Sequence, residues 1–163
     1  MEMHGQKTEI KSNANADGLK ESMQPSGNTP QQMEIASILG TVSALMIDSP
    51  MHQHFFLADM KWLVIPPIHL RQFRIFRRDN HPFAYVSWAM LSEEGGERLK
   101  QGNHRLRPGE WNSGDQAWII DLIAPFGGHE DVLKDLKRNV FQDTKVRVLQ
   151  MAPDKSGLAV TEW

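Results

Sequence analysis

The sequence contains no cysteine, and this absence excludes three kinds of chemistry at once. A disulfide framework, a thiolate metal site and a cysteine nucleophile all require the missing side chain. The chain also lacks an apolar run of about 18 residues, so no membrane span is expected. Its first seven residues are polar and contain no apolar segment of a secretory signal. The expected location is therefore the cytoplasm.

The chain also lacks a surplus of either charge, because 18 lysines and arginines are balanced by 20 aspartates and glutamates. General nucleic-acid binding needs a clear basic surplus, so no nucleic-acid partner is expected. Hydrophobic residues make up 40% of the 163 residues and charged residues 23%, which is typical of globular proteins.

Residues 1–30 offer almost nothing to bury and predict a disordered tail. Residues 31–163 then form a single predicted domain.

The periodicity of the apolar residues predicts alternating helices and strands. The first predicted helix covers 30–48, because Thr29 can cap it and Pro30 can occupy its first position. The other predicted helices cover 52–60, 92–102 and 129–141, and the predicted strands cover 72–78, 83–91, 116–124, 145–151 and 158–163. A turn-rich stretch between the first two strands indicates a hairpin. This order predicts an α/β (α+β) fold with a central, mostly antiparallel sheet flanked by helices.

One aspartate, Asp121, interrupts the apolar run A-W-I-I-D-L-I-A at 117–124 of the predicted central strand. Strict alternation along the strand places it on the same face as Ile119 and Ile123. A buried carboxylate must be paired, hydrogen-bonded or protonated. Asp121 is therefore either a structural acceptor for backbone or arginine donors, or a carboxylate that orients and charges a histidine.

A glycine-containing turn, P-F-G-G at 125–128, leads from this strand into the next predicted helix. Free backbone N–H groups at such a turn can receive a phosphate or an oxyanion, which makes Gly127 and Gly128 candidate donors. The turn matches neither the Walker pattern nor G-x-G-x-x-G, and two glycines before a helix are also common in simple tight turns.

Two histidines, His52 and His54, lie in the stretch D-S-P-M-H-Q-H-F at 48–55. His52 could act as a general base with Ser49 nearby, or it could be a partly exposed residue at a helix start. Together with His69 the pair could bind zinc. No His-Glu-x-x-His pattern is present and the other histidines are scattered in predicted loops, so no metal is expected.

Basic residues form two clusters, which are either solvated faces or a dock for an acidic or phosphate-bearing partner. The clusters comprise Arg71, Arg74, Arg77 and Arg78, and Lys134, Lys137 and Arg138.

Three longer strings give the chain a resemblance to a known family. They are S-P-M-H at 49–52, R-D-N-H-P-F-A-Y-V-S-W-A at 78–89, and E-W-N-S-G-D-Q-A-W-I-I-D-L-I-A-P-F-G at 110–127. In this order and spacing, over about 35–163, the chain resembles the RTX toxin-activating lysine acyltransferases. These are the haemolysin-activating proteins of Gram-negative bacteria.

The resemblance implies a GNAT-like acyltransferase fold, a homodimer and no bound cofactor. It implies that a fatty acyl group passes from the 4′-phosphopantetheine thioester of acyl carrier protein to internal lysines of an RTX protoxin, in the cytoplasm before secretion. The essential histidine of the family falls on His52 and its essential aspartate on Asp121, with Ser49 in a supporting role. Gly127 and Gly128 could then serve an oxyanion or the pantetheine arm, and the basic clusters could contact acyl carrier protein.

Two other classes of function compete with this interpretation. One is a non-catalytic, chaperone-like protein that binds the toxin, but the presence of both His52 and Asp121 favours catalysis. The other is a small-molecule N-acetyltransferase, which would need an Arg/Gln-x-x-Gly-x-Gly/Ala phosphate loop that the turn at 125–128 does not supply.

Under the acyltransferase interpretation, the acyl chain needs an apolar slot. The aromatic candidates for this slot are Trp62, Phe73, Phe76, Phe83, Trp88 and Trp118.

Overall fold

The computed structural model describes residues 29–152 and 157–163, so most of the predicted tail lies outside the described residues. The helices are α1 (Pro30–Asp48), α2 (Met60–Leu63), α3 (Ile65–Leu70), α4 (Glu93–Lys100) and α5 (His129–Asn139). The strands are β1 (Phe73–Arg78), β2 (His81–Leu91), β3 (Gln116–Ile123), β4 (Val146–Met151) and β5 (Leu158–Glu162). Two short 3₁₀ helices cover Leu57–Asp59 and Pro108–Glu110.

The sheet has the order β1-β2-β3-β4-β5 and confirms the predicted fold class. Three neighbouring pairs are antiparallel, and only β3 and β4 run parallel. The parallel pair needs a crossover connection, which α5 provides. Among the described residues, no helix is long and apolar enough to cross a membrane.

Local sequence explains most of the element boundaries. Thr29 caps α1 by accepting a hydrogen bond from the Gln32 amide, and Pro30 occupies the first helical position. Ser92 caps α4 in the same way. The prediction of a helix over 52–60 is wrong, because residues 50–54 form turns and the next α-helix begins only at Met60.

Helices cover both faces of the sheet. On one face, Val132 and Leu136 of α5 pack against residues of β2 and β3 that include Val86. On the other face, α1, α2 and α3 pack over Tyr85 and Ile123. Further along this second face, α4 and the loop that follows it pack over Ala89, Leu91 and Trp118. The site described below lies on the second face.

The central strand contains a β-bulge, which the prediction of strict alternation missed. Ser87 of β2 lies opposite Asp121, whereas its neighbour Trp88 lies opposite Ile119, so Ile120 is the extra residue. Ile119 consequently packs in the cluster beneath α5. Asp121 instead points to the second face, where it reaches His52. The prediction that Ile119 and Asp121 share a face is therefore wrong, because a bulge shifts the alternation by one residue.

We expect Gly114→Ala to destabilise the fold. A Cβ at Gly114 would lie 2.5 Å from the Leu91 carbonyl oxygen and 2.6 Å from the Ser92 Cα, and both are backbone atoms that cannot move aside. Overpacking of this kind costs about 1–3 kcal/mol, which chemical denaturation measures as a lower free energy of unfolding. Gly109→Ala is the matched control, because nothing lies within 4 Å of its Cβ position. Equal stability of the two variants would contradict the close approach.

Candidate functional site

The S-P-M-H string folds into a tight turn that directly follows α1. Ser49 ends the helix, and its carbonyl oxygen accepts a hydrogen bond of 2.9 Å from the His52 amide. Pro50 is the second residue of this turn, where its fixed φ is favoured. Because the first and fourth residues of such a turn lie close together, the Ser49 Oγ comes within 2.7 Å of the His52 Nδ1.

The other ring nitrogen of His52 meets Asp121, which lies 69 positions further along the chain. His52 Nε2 and Asp121 Oδ1 are 2.9 Å apart. The His52 side chain is only 7% exposed and that of Asp121 11% exposed, so solvent screens the pair weakly. The structure thus brings the three residues Ser49, His52 and Asp121 into one hydrogen-bonded row. Their chemical roles stay predictions.

This row selects one tautomer of the neutral imidazole. An ionised carboxylate can only accept, so Asp121 requires the proton to lie on His52 Nε2. His52 Nδ1 is then left as an acceptor, and the Ser49 hydroxyl donates to it. In this arrangement the next proton received by the imidazole is received at Nδ1, and Asp121 stabilises the resulting positive charge.

Aromatic packing holds the imidazole in place. Phe55 stacks on His52 with ring centroids 5.6 Å apart, and Trp62 packs against Phe55 at 6.3 Å. Asp59 fixes this segment, because its carboxylate accepts from the Trp62 indole N–H and from the Phe56 amide, each at 2.9 Å. The same two donors, the indole first, hold the pKa of Asp59 below its usual value.

The second oxygen of the aspartate, Asp121 Oδ2, is buried and makes no hydrogen bond. The hydroxyl groups of Tyr85 and Ser87 are also buried and have no partner of acceptable geometry. Burial first, and then the Asp121 charge, raise the pKa of Tyr85 far above its usual value, whereas the neighbouring Ser87 lowers it. Sequence reasoning missed both residues, although they alternate within the string A-Y-V-S-W of an apolar strand.

The turn at 125–128 adopts the backbone that its glycines permit. Gly127 has a φ of 85° and Gly128 a φ of 91°, a region that favours glycine. Gly128 precedes α5 and lies against Phe83, which packs with the core beneath that helix. Within the described ranges, no hydrogen bond or ring contact joins this turn to His52. The oxyanion and pantetheine roles of the two glycines stay predictions.

The predicted basic clusters lie mostly away from His52, and several members are bonded within the protein. Arg74 pairs with Asp135 of α5 at 2.9 Å. The Lys137 ammonium donates to the Thr144 carbonyl at 2.9 Å, and Arg78 lies over the ring of Phe83. The remaining predicted members are Arg71, which ends α3, Arg77 at the end of β1, and Lys134 and Arg138 on α5. Their contact with a carrier protein stays a prediction.

A third basic region, which sequence reasoning did not single out, contains residues of α2 and of the loop after α4. It is a groove of about 420 Å³ that includes Lys61, Arg105 and Arg107. Arg105 lies over the ring of Trp62, with its guanidinium carbon 5.7 Å from the ring centroid. Trp62 packs on Phe55, which stacks on His52, so two aromatic side chains link this groove to His52.

The three histidines considered for zinc do not converge. His52 uses both ring nitrogens for Ser49 and Asp121, and His54 and His69 are exposed. Across residues 29–152 and 157–163, no group of three potential ligands is placed to hold a metal ion.

Comparison with known proteins identifies the family of the chain. A profile of the RTX toxin acyltransferase family matches residues 31–163. The chain is 36% identical over 110 residues to the lysine-acyltransferase RtxC of Vibrio cholerae, which covers 66% of this chain and 71% of that relative. It is 36% identical over 126 residues to the protein-lysine myristoyltransferase HlyC of Escherichia coli, with 77% and 74% covered. The RTX-II toxin-activating lysine-acyltransferase ApxIIC of Actinobacillus pleuropneumoniae is 34% identical over 119 residues, with 73% and 74% covered. The chain therefore belongs to the RTX toxin acyltransferase family.

Proposed function

We propose that this protein is a protein-lysine acyltransferase that transfers a fatty acyl group to internal lysines of an RTX protoxin. The observation that carries the proposal is the row in which His52 is held between Ser49 and Asp121. Family membership and the relatives, which are named as lysine acyltransferases and a myristoyltransferase, support the same conclusion.

The proposed role of His52 is that of a general base. A lysine side chain has a reference pKa of about 10.4, so at neutral pH it is almost entirely an ammonium ion that cannot attack a thioester. His52 Nδ1 accepts the proton that the amine must lose, either through the Ser49 hydroxyl or directly after that hydroxyl turns away. Asp121 keeps the second ring proton on Nε2 and stabilises the imidazolium.

The proposed reaction is direct transfer. His52 first takes one proton from the ammonium and releases it to solvent. The amine nitrogen then attacks the thioester carbon, and as the new C–N bond forms the nitrogen gives a second proton to His52 Nδ1. The C–S bond breaks, and the imidazolium passes this second proton to the departing thiolate. The competing route is an acyl-enzyme on Ser49 or His52. Ser49 donates to His52 as a nucleophilic serine would, but it precedes Pro50 and is only 6% exposed.

The proposed donor is acyl carrier protein, whose 4′-phosphopantetheine thioester carries the acyl group. An acidic carrier suits the positive groove formed by Lys61, Arg105 and Arg107, which Trp62 and Phe55 link to His52. We further propose that the reaction takes place in the cytoplasm before secretion of the toxin, by a homodimer. Sedimentation of the purified protein tests the dimer.

A single-turnover experiment tests both the donor and the route. Acyl carrier protein that carries a labelled myristoyl thioester is mixed with the enzyme in the absence of toxin. Direct transfer predicts no stable label on the enzyme, followed by label on the toxin once the toxin is added. Label that remains on the enzyme after denaturation would contradict direct transfer. Failure of the toxin to acquire label would contradict the proposal that acyl carrier protein is the acyl donor.

Mass spectrometry of coexpressed toxin tests the function itself. An RTX protoxin produced with the wild-type chain is expected to carry an acyl mass on lysine, and production with His52→Ala should abolish that mass. The competing function is a chaperone-like protein that binds the toxin without modifying it. A toxin that stays unmodified with the wild type and with His52→Ala would favour the chaperone-like function. An equal acyl mass with the wild type and with His52→Ala would remove His52 from the mechanism.

A further inference from the structure

An apolar cleft of about 180 Å³ opens beside the imidazole of His52, between the C-terminal half of α1 and the segment that follows it. Six apolar side chains provide most of its lining: Met46, Ile47, Phe55, Phe56, Leu57 and Met60. An apolar, concave lining is typical of sites for apolar ligands, and methionine side chains adapt readily to the shape of a bound chain.

The outer wall of this cleft consists of large apolar side chains that are exposed to solvent. Ile47 is 72% exposed, Phe56 79% and Leu57 85%. Contiguous apolar surface of this kind marks a binding site on a globular protein. The Asp59 carboxylate holds the wall in place through its hydrogen bond to the Phe56 amide.

We propose that this cleft binds the fatty acyl chain of the donor, an inference that rests on the proposed acyltransferase function. His52 lines the cleft, so a chain that fills it brings its thioester carbon to the imidazole. The aromatic residues expected from sequence to form the slot lie elsewhere for the most part. Trp88 and Trp118 are buried in the cores of the two faces of the sheet, and Trp62 only adjoins the cleft through Phe55.

The test compares acyl-chain lengths in the full-length protein. For the wild type, KM for the acyl donor should fall by up to about fourfold per added methylene until the cleft is filled. The double variant Phe56→Ser/Leu57→Ser should flatten this dependence and raise KM for a myristoyl donor about tenfold or more, and the effect on KM should shrink as the donor chain is shortened. Both side chains are exposed, so their replacement should not impair folding.

A matched control and a direct binding measurement test acyl binding by the cleft independently of the proposed acyltransferase function. Met151→Ser/Leu158→Ser removes two exposed apolar side chains on a distant hairpin and should leave the chain-length dependence intact. Calorimetry with free myristate should show binding to wild type and weaker binding to the cleft variant, whether or not transfer is active. Unchanged kinetics and unchanged myristate binding in the cleft variant would overturn the proposal, even if acyl transfer itself is confirmed. The proposal would also be overturned if the cleft variant lost the dimeric state of the wild type while its acyl kinetics stayed unchanged. That result would assign the cleft to contact with a second copy of the chain.

A second inference follows from the buried hydroxyl groups near Asp121. Ser87 lies directly opposite Asp121 in the sheet, and Tyr85 lies two residues earlier on the same face of β2. Tyr85 and Ser87 each carry a hydroxyl that can donate, and Asp121 Oδ2 can only accept when ionised. Donors and acceptor therefore match within one buried cluster, and a buried polar group without a partner destabilises the fold.

We propose that Tyr85 and Ser87 are positioning residues that hold the Asp121 carboxylate towards His52 by donating to Oδ2 after a small rotation of these buried groups. Tyr85→Phe keeps the ring that stacks on Phe73 and removes only the donor. Because this variant loses a hydrogen bond to a charged group, its kcat should be about ten- to a hundredfold lower than that of the wild type, with KM unchanged.

A double-mutant cycle distinguishes positioning from a purely structural role. In an Asp121→Asn background, Tyr85→Phe should have little further effect on kcat, because the carboxylate that it positions is already gone. Ser87→Thr should retain activity better than Ser87→Ala, since threonine keeps a hydroxyl. Additive losses in the double variant, or equal activities of the two Ser87 variants, would contradict the proposal.

Discussion

Replacement of His52 by alanine is expected to lower kcat for lysine acylation by about 10²–10⁴-fold, the usual contribution of a general base. The imidazole is the one group of the row that can take a proton from the lysine ammonium, because the Ser49 hydroxyl is too weak a base and Asp121 is engaged with the ring. KM for the donor should change little. Steady-state kinetics with a labelled acyl donor and purified toxin measures both constants.

Two controls separate a chemical role of His52 from a structural one. His54→Ala replaces an exposed histidine two residues away and should be mild, whereas equal losses in both variants would reopen the possibility of a metal site. The alanine variant also leaves a small space where the imidazole stood. Added free imidazole should restore part of the activity of His52→Ala, and complete absence of rescue together with a lower melting temperature would indicate a role in folding instead.

The second large effect is expected for Asp121→Asn, which should lower kcat by about 10²-fold or more. Asparagine nearly preserves the size of the side chain but removes its charge. Its NH₂ group can also donate to His52 Nε2, which would place the imidazole proton on Nδ1 and block the atom that must accept the lysine proton. The imidazolium would in addition lose its stabilising partner. Rapid-quench measurement of the acyl-transfer step reports this loss directly.

Asp143→Asn is a suitable control for Asp121→Asn, because Asp143 is an exposed residue after α5. It should match the wild type in rate. Both variants should keep the far-ultraviolet circular dichroism of the wild type if the sheet is intact. A rate for Asp121→Asn within a few-fold of wild type would remove the carboxylate from the proposed mechanism.

Local sequence patterns determined the helices and strands of this protein to a large extent. The apolar periodicity and the Thr29-Pro30 start defined α1, and the turn-rich stretch at 79–82 defined the β1–β2 hairpin. The S-P-M-H string also determined its own geometry, since a serine and a histidine at the first and fourth positions of a turn must lie close together. The failed prediction of a helix over 52–60 has a local reason as well. Pro50 favours a short turn, closed by hydrogen bonds from the His52 and Gln53 amides to the Ser49 carbonyl, and this turn does not continue into a helix.

Only the tertiary structure decided how the site is assembled. His52 and Asp121 are 69 positions apart, and their contact depends on the bulge at Ile120, which strict alternation cannot anticipate. Tyr85 and Ser87 look like ordinary members of a buried strand until the register places them beside the carboxylate. The apolar cleft likewise joins α1 to the following segment, and only packing brings these together. The sequence by itself therefore determined the elements and the turn that holds His52, because these depend on neighbours along the chain. The strand register and helix packing decided the hydrogen-bonded row and the cleft, because these depend on contacts between distant segments.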